Sequence, residues 1–369
     1  MIIMDKHTLS TPPYLGFYIH HHGSGHVMRA ITIASSLTAY RICFIGSNLR
    51  PYLDQIPEHI VCIHLPLDLP DENDHQPIAH ALSFLHYAPL GVAGIRERTA
   101  VLTATFRQYY PMLLVVDVSV EVTLLARLSG IPTVVVRQHG KRTDMPHLHA
   151  YESAELLIAP YAETFALIDE EEWIKAKTVY AGGFSKYSDN KTVSNEQEQP
   201  GHIAILVGQG GTSLDTEFIH HLATACENYI FHIIGSSANH STLLKHNLTV
   251  HGQLKDPKAV LDQCQVVIGN AGHNTVMEMA DLNKRFICIP EDRPFDEQLQ
   301  KADLLAVKGC ARVIYPGDLF VVNWPAELEN AGSTLPNWDG MINPDALQNI
   351  ANAIKDTVNQ VFASKYPQE

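Results

Sequence analysis

The chain has 369 residues, is 46% hydrophobic, and carries 40 acidic against 26 basic residues for a formal net charge of -14. That length suggests about two domains, and the acidic balance argues against a general nucleic-acid binder. The six cysteines include no C-x-x-C pair and lie mostly in apolar runs, so a reduced, cytoplasmic setting is expected rather than a disulfide framework.

The opening "MIIMDKHTLSTPPYLG" lacks both a basic leader and a long apolar region, so no secretory signal is expected. No later run offers the roughly 18 apolar residues of a membrane span. The first strand-like run is "LGFYIH", followed by a helical pattern over 27–38, then "RICFIG" and "HIVCIHLP". "YAPLGVAG" and "IRERTAVLTATFRQYY" combine apolar and basic groups, which suits either a core-facing helix or a peripheral contact at the inner face of a membrane. "MLLVVD", a helix over 120–129, "PTVVVR" and "ELLIAP" complete this half. The polar stretch 182–202 interrupts the rhythm and reads as a linker. A second series follows: "IAILVG", a helix from about 214, "YIFHIIG", "LTVHG", a helix over 257–263, "QVVIG", a helix over 274–281, and "RFICIP". A last helix over 344–363 packs on the second half or crosses back to the first. Short apolar runs alternating with helical patterns predict an α/β chain of two Rossmann-like domains with parallel sheets: 1–183, a linker 184–201, and 202–369.

In such sheets ligands bind beyond the carboxyl ends of the strands, so the glycine turns there matter most. Gly23-Ser24-Gly25-His26 follows the first strand and opens a helix; alone it suits a tight turn as well as a ligand loop. "VGQGGTS" takes the matching place in the second half, with Gly208, Gly210, Gly211, Thr212 and Ser213. "IGNAGHNTVMEMA" is the most informative: Asn270, Gly272, His273, Asn274 and Thr275 gather at a helix start, where a diphosphate meets unpaired N–H groups and a positive dipole end. Glu278, one turn on, suits the vicinal hydroxyls of a ribose. After the next strand, Asp292, Arg293, Asp296, Glu297 and Gln298 suit sugar hydroxyls, or form a solvated charge run.

Taken together, "HHGSGHVMRAITIA", "VGQGGTS", "NAGHNTVMEMA" and "RPFDEQ" resemble the GT-B glycosyltransferases of the family 28 type, a group that includes the N-acetylglucosaminyltransferase of lipid II synthesis. The resemblance spans both halves. It implies two Rossmann-like domains facing across a cleft, a nucleotide-sugar donor (a UDP-sugar) held mainly by the C-terminal domain, and an acceptor against the N-terminal one. By this resemblance Gly23, Gly25 and His26 lie near the donor phosphates and acceptor, and Gly210, Gly211, Thr212 and Ser213 form the C-terminal glycine loop. Gly272, His273, Asn274 and Thr275 hold the diphosphate, Glu278 the ribose, and Asp296, Glu297 and Gln298 the sugar. The uracil falls near Gly252, Gln253 and Leu254. His21 and His22 stand where the lipid II enzyme has a glycine pair, so they shape the acceptor mouth differently. "GSGHVMRAITIA" is also close to the loop of a UDP-sugar hydrolase of the same fold, which leaves transfer and hydrolysis both open.

For transfer, a hydroxyl attacks the anomeric carbon as the nucleotide diphosphate leaves. His26 is the leading base, since an imidazole titrates near neutrality; Asp117 and Glu121 are secondary candidates. The helix at His273, the Gly210-Gly211 turn and Arg29 or Arg293 would steady the leaving group, with no metal or cofactor required. Arg137, His139, Lys141, Arg142 and His147 form either an anionic-acceptor site or a solvated loop. A metal site at His20-His21-His22 is disfavoured, because neighbouring strand residues point to opposite faces. The acceptor is a glycan, a lipid-linked precursor or a small molecule. A non-catalytic sugar-nucleotide-binding protein is the remaining reading.

Overall fold

The computed structural model describes residues 12–21, 24–72, 74, 82–166, 170–188, 198–208, 210–235 and 245–362. The strands are β1 (Tyr14–Ile19), β2 (Arg41–Gly46), β3 (Val61–His64), β4 (Met112–Asp117), β5 (Thr133–Val136), β6 (Leu156–Ala159), β7 (Thr178–Tyr180), β8 (Gln199–Leu206), β9 (Ile230–Ile234), β10 (Leu248–Gly252), β11 (Cys264–Asn270), β12 (Arg285–Ile289) and β13 (Arg312–Val313). They form two all-parallel sheets among the described residues, ordered β3-β2-β1-β4-β5-β6-β7 and β10-β9-β8-β11-β12-β13. The helices are α1 (Gly25–Ser35), α2 (Ala93–Gln108), α3 (Val120–Leu128), α4 (Met145–Ser153), α5 (Glu172–Lys177), α6 (Thr216–Ala225), α7 (Lys258–Gln263), α8 (His273–Asp281), α9 (Glu297–Val307), α10 (Trp324–Ser333) and α11 (Ala346–Phe362).

Every residue of β4 is buried, as expected for a central strand with helices on both faces. The β1 face built by Leu15, Phe17 and Ile19 packs on α1 and, from the far end of the chain, on Ile350, Ile354 and Val358 of α11. The terminal helix therefore returns to the first sheet. Its crossing is pinned where Gly183 donates to the Met341 carbonyl at 3.0 Å and accepts from Asn343 N–H at 2.9 Å. Gly182 has φ +88°, and a Cβ there would lie 2.3 Å from Asn343 Cβ, so only glycine fits.

Helix starts follow local chemistry. Ser119 accepts the Val122 N–H at the start of α3, and Asp215 accepts the Phe218 N–H at the start of α6. The stretch 136–149 holds a helix as well as a loop: Asp144 caps α4, and Pro146 fits its first turn. Glycine caps α8, with no side chain bonded to its first N–H groups.

Candidate functional site

Strand order reverses between β1 and β4 in one sheet and between β8 and β11 in the other, which sets a crevice at the carboxyl end of each. The two crevices face each other. Asn274 at the start of α8 donates to the Gly25 carbonyl at the start of α1 (3.1 Å), and Lys141 N–H donates to the Phe295 carbonyl at 2.8 Å. A Cβ at Gly140 would lie 2.7 Å from that same carbonyl, so a glycine allows the close approach. Arg142 pairs with Glu297 at 3.5 Å and Lys141 with Asp296 at 2.9 Å across the same seam.

His26, on the first turn of α1, places Nδ1 2.9 Å from Asp117 Oδ2 at the end of β4. Arg29, one turn along α1, puts Nε 3.3 Å from the same oxygen. Burial pushes the Asp117 carboxyl up, but Arg29 and His26 outweigh it and hold it below its ordinary value. An ionised Asp117 accepts the Nδ1 proton of His26, which leaves Nε2 with its lone pair. Val118 directly after Asp117 has φ +73°, a strained backbone for a β-branched residue.

Opposite, the turn after β8 is braced by Glu291, which sequence reasoning did not single out. Its Oε1 accepts from Thr212 Oγ1 (3.1 Å), Ser213 N (2.6 Å), Ser213 Oγ (2.7 Å) and Asn270 Nδ2 (3.0 Å). Thr212 and Ser213, expected to face the donor, thus hold the loop with their hydroxyls. Gly210 and Gly211 remain at its tip, where Gly211 has φ +86° with open space around it and its carbonyl accepts from Arg293. The uncapped start of α8 lies beside this tip, with Gly272 at the cap and His273, Asn274 and Thr275 in the first turn. Burial, followed by the Lys301 charge, drives the His273 imidazole well below its ordinary range, so it is neutral. Glu278 is paired with Lys186 at 3.5 Å, and burial raises its carboxyl against that pairing. Both line a pocket with Met28, Arg29, Phe184 and Asn274.

Of the loop after β12, Gln298 uses Oε1 to accept the Glu291 N–H at 3.0 Å, so it acts as a brace; Asp296 is at the exposed seam and Glu297 inside it. Phe295 and Asp296 both adopt left-handed backbone, φ +64° and +55°. Gln253 is exposed and Leu254 half-buried beyond β10, on the loop from Gly252.

In the first domain, Glu121 accepts the backbone N–H groups of His86 and Tyr87 at 2.7 and 3.0 Å, so it holds this part of the 82–90 segment. Arg137 is buried and directs its guanidinium to Glu170 and Thr178, which ties it to the sheet rather than to the cleft. His139 donates Nε2–H to the Phe165 carbonyl; burial, then Lys301, keep it neutral. His21 lies 3.9 Å from Asp68, while His22 and Gly23 fall outside the described residues. His86, Asp144 and His147 bring one potential ligand atom each within 4.8 Å of one another, but Arg142 Nη1, 3.0 Å from His147 Nε2, opposes a further cation there. Burial, then Arg142, lower His147 to about 4. Leu67, Leu69, Leu82, Phe84, Tyr87 and Leu90 form an exposed apolar rim on the segments that carry Asp68 and His86. No helix among the described residues is long and apolar enough to cross a membrane.

Residues 202–359 match the glycosyltransferase family 28 C-terminal domain. The UDP-N-acetylglucosamine--N-acetylmuramyl-(pentapeptide) pyrophosphoryl-undecaprenol N-acetylglucosamine transferase of Streptococcus thermophilus is 22% identical over 223 residues, 58% of this chain and 60% of that protein. The chain thus spans about three fifths of the length of the curated relatives it matches. Among solved structures, MurG of Acinetobacter baumannii superposes with TM-score 0.57 at 16% identity, covering 95% of this chain and 98% of that one. The spinosyn rhamnosyltransferase SpnG, complexed with thymidine diphosphate, gives TM-score 0.58 at 14% identity with the same coverage. Two parallel sheets joined across facing crevices give the chain the fold of these solved GT-B glycosyltransferases, and its residues 202–359 are similar to the C-terminal domain of glycosyltransferase family 28.

Proposed function

We propose that the chain transfers a sugar from a nucleotide-sugar donor, a UDP-sugar, to a hydroxyl of a glycan or lipid-linked acceptor. Residues 1–183 would form the acceptor half, 202–369 the donor half, and 184–201 the connection. The observation that carries this reading is the His26–Asp117 pair directly across the crevice from the uncapped start of α8. With Nδ1–H donated to Asp117, Nε2 of His26 takes the acceptor proton as the acceptor oxygen bonds to the anomeric carbon. The bond from that carbon to the diphosphate oxygen breaks, and its electron pair leaves with the nucleotide diphosphate. The N–H groups of α8, the Gly210-Gly211 tip, and Arg29 stabilise that charge. Glu278 accepts from the ribose hydroxyls once Lys186 moves aside. The apolar rim of the first half supports a lipid-linked acceptor met at a membrane surface.

The test is a thermal-shift panel of UDP- and dTDP-sugars. Each hit is then incubated with and without hydroxyl acceptors, and its products are identified. Nucleotide diphosphate released only with acceptor supports transfer. Free sugar released without one identifies the hydrolase, and binding without turnover identifies a non-catalytic protein.

A further inference from the structure

The loop that leads into α9 carries two consecutive residues in left-handed backbone, Phe295 (φ +64°, ψ +23°) and Asp296 (φ +55°, ψ +27°). Neither is a glycine, and a bulky side chain rarely adopts that region, so the pair persists only where its surroundings hold it. The ring and cation partners of Phe295 among the described residues all come from the first domain. His147 meets the ring edge-on at 4.7 Å between centroids, His86 lies at 5.1 Å, and the Arg142 guanidinium sits over the ring at 4.9 Å. The Phe295 carbonyl accepts the Lys141 N–H at 2.8 Å, in the space that Gly140 leaves open. This socket is itself braced. Arg142 is buried and donates to the His139 carbonyl at 3.2 Å and to Gln138 Oε1 at 3.1 Å, while Asp144 accepts from His86 Nε2 at 2.9 Å and from His147 Nδ1 at 2.8 Å.

The two ends of the crevice in the second domain thus have different supports. The Gly210-Gly211 turn and the strand before α8 are braced from within that domain, through Glu291 to Thr212, Ser213 and Asn270. Asp296 and Glu297, the segment read as the sugar side, directly follow Phe295 and pair across the seam with Lys141 and Arg142.

We infer that Phe295 is a positioning residue for the donor sugar: gripped by His86, Arg142 and His147, it holds Asp296 and Glu297 in place only while the two domains are closed on each other. The inference rests on the nucleotide-sugar reading above. When the halves part, Phe295 loses its socket, the left-handed pair relaxes, and both carboxylates shift. The nucleotide diphosphate is then received by the second domain alone, whereas the sugar is aligned only with the first domain in place. The anomeric carbon is therefore presented for attack only beside His26.

The experiment titrates UDP, dTDP, UDP-glucose, UDP-N-acetylglucosamine and dTDP-glucose into wild type, Phe295→Ala and Phe295→Tyr by calorimetry, with initial rates for each nucleotide sugar that turns over. Phe295→Ala is expected to keep the Kd for the diphosphates within about threefold, while the matching nucleotide sugar binds about 10-fold more weakly and kcat falls about 10-fold or more. Phe295→Tyr keeps the ring and is expected to restore each value to within about threefold of wild type. Equal losses for diphosphate and nucleotide sugar in Phe295→Ala, wild-type values for both, or a Phe295→Tyr no better than Phe295→Ala overturn the inference. In the wild type, hydrogen exchange of the Lys141 amide is expected to slow about 10-fold more with a bound nucleotide sugar than with its diphosphate, because the sugar binds the gripped state. Equal slowing overturns the inference even if neither variant folds, and it leaves the nucleotide-sugar reading standing. Binding of none of the three nucleotide sugars by the wild type overturns that reading and the inference with it.

Discussion

Asparagine at position 117 keeps the shape of the aspartate and removes its charge. In the wild type an imidazolium forming on His26 would face a carboxylate oxygen 2.9 Å from Nδ1. At an effective dielectric of about 20 that is worth about 6 kcal/mol before desolvation, and about half survives as net stabilisation. Losing about 3 kcal/mol slows the proton-transfer step by about 10²-fold. The amide would also let His26 adopt the wrong tautomer, which adds to the loss. Donor affinity should stay within about threefold, since Asp117 faces α1 and not α8. Arg29 loses its buried partner, at a cost of about 3–5 kcal/mol in stability, so the assay belongs well below the variant's melting temperature. Steady-state kcat and calorimetric donor Kd are measured for Asp117→Asn, His26→Ala and the double variant. The double should lose little more than His26→Ala alone, because the two act as one unit. A kcat within threefold of wild type in Asp117→Asn, or losses that multiply in the double variant, would refute the paired role.

Glu278→Ala is expected to weaken donor binding about 10- to 100-fold with a smaller effect on kcat, read by calorimetry with the nucleotide diphosphate. Because burial raises the Glu278 carboxyl, its contribution to stability is present below its ordinary 4.5 and is lost as pH rises through the raised value. Glu278→Gln should flatten that slope in melting curves; an unchanged slope would count against it. In the second sheet His202, His232 and His251 form a ladder with 3.0 Å nitrogen contacts, and burial, then His251 and His202, lower His232 from 6.5 to about 4. Neutral His232 stabilises the fold above pH 6.5, and that stability falls as the pH drops towards 4. His232→Gln should remove about 1–3 kcal/mol of this dependence, read by thermal melts across that window. Val118→Gly relieves a positive φ worth about 1–2 kcal/mol but frees the Asp117 turn. A lower kcat is expected without a proportional loss of melting temperature, and an unchanged kcat would argue that the strain is incidental.

The sheets were legible because parallel strands buried on both faces read as short apolar runs, as "MLLVVD" does in β4. The glycine turns and the start of α8 were legible from turn and helix-start chemistry. Pairings between distant segments were not. Asp117 reads as a secondary base candidate, and nothing at its own position reveals that His26, 91 residues earlier, donates to it. Thr212, Ser213 and Gln298 have the right chemistry for a ligand, yet all three bond to Glu291, which lies in a charged loop with no local mark of its role. Arg137 looked like an acceptor ligand because its strand ends near the cleft, but Glu170 and Thr178 draw it into the sheet. α4 was not legible because its two histidines and the basic Lys141-Arg142 pair before it hid the Asp144 cap and Pro146 start. Lys301 carries no signal in the sequence, since an exposed helix lysine is the ordinary case, whereas here its side chain is almost fully buried.

The most direct test of the account is the release of nucleotide diphosphate from the bound nucleotide sugar, followed with and without a hydroxyl acceptor in wild type and His26→Ala. The account predicts acceptor-dependent release by the wild type, and a loss of about 10²-fold or more in the variant with donor binding retained. Wild-type-like release by His26→Ala, or release that yields free sugar regardless of acceptor, would contradict it.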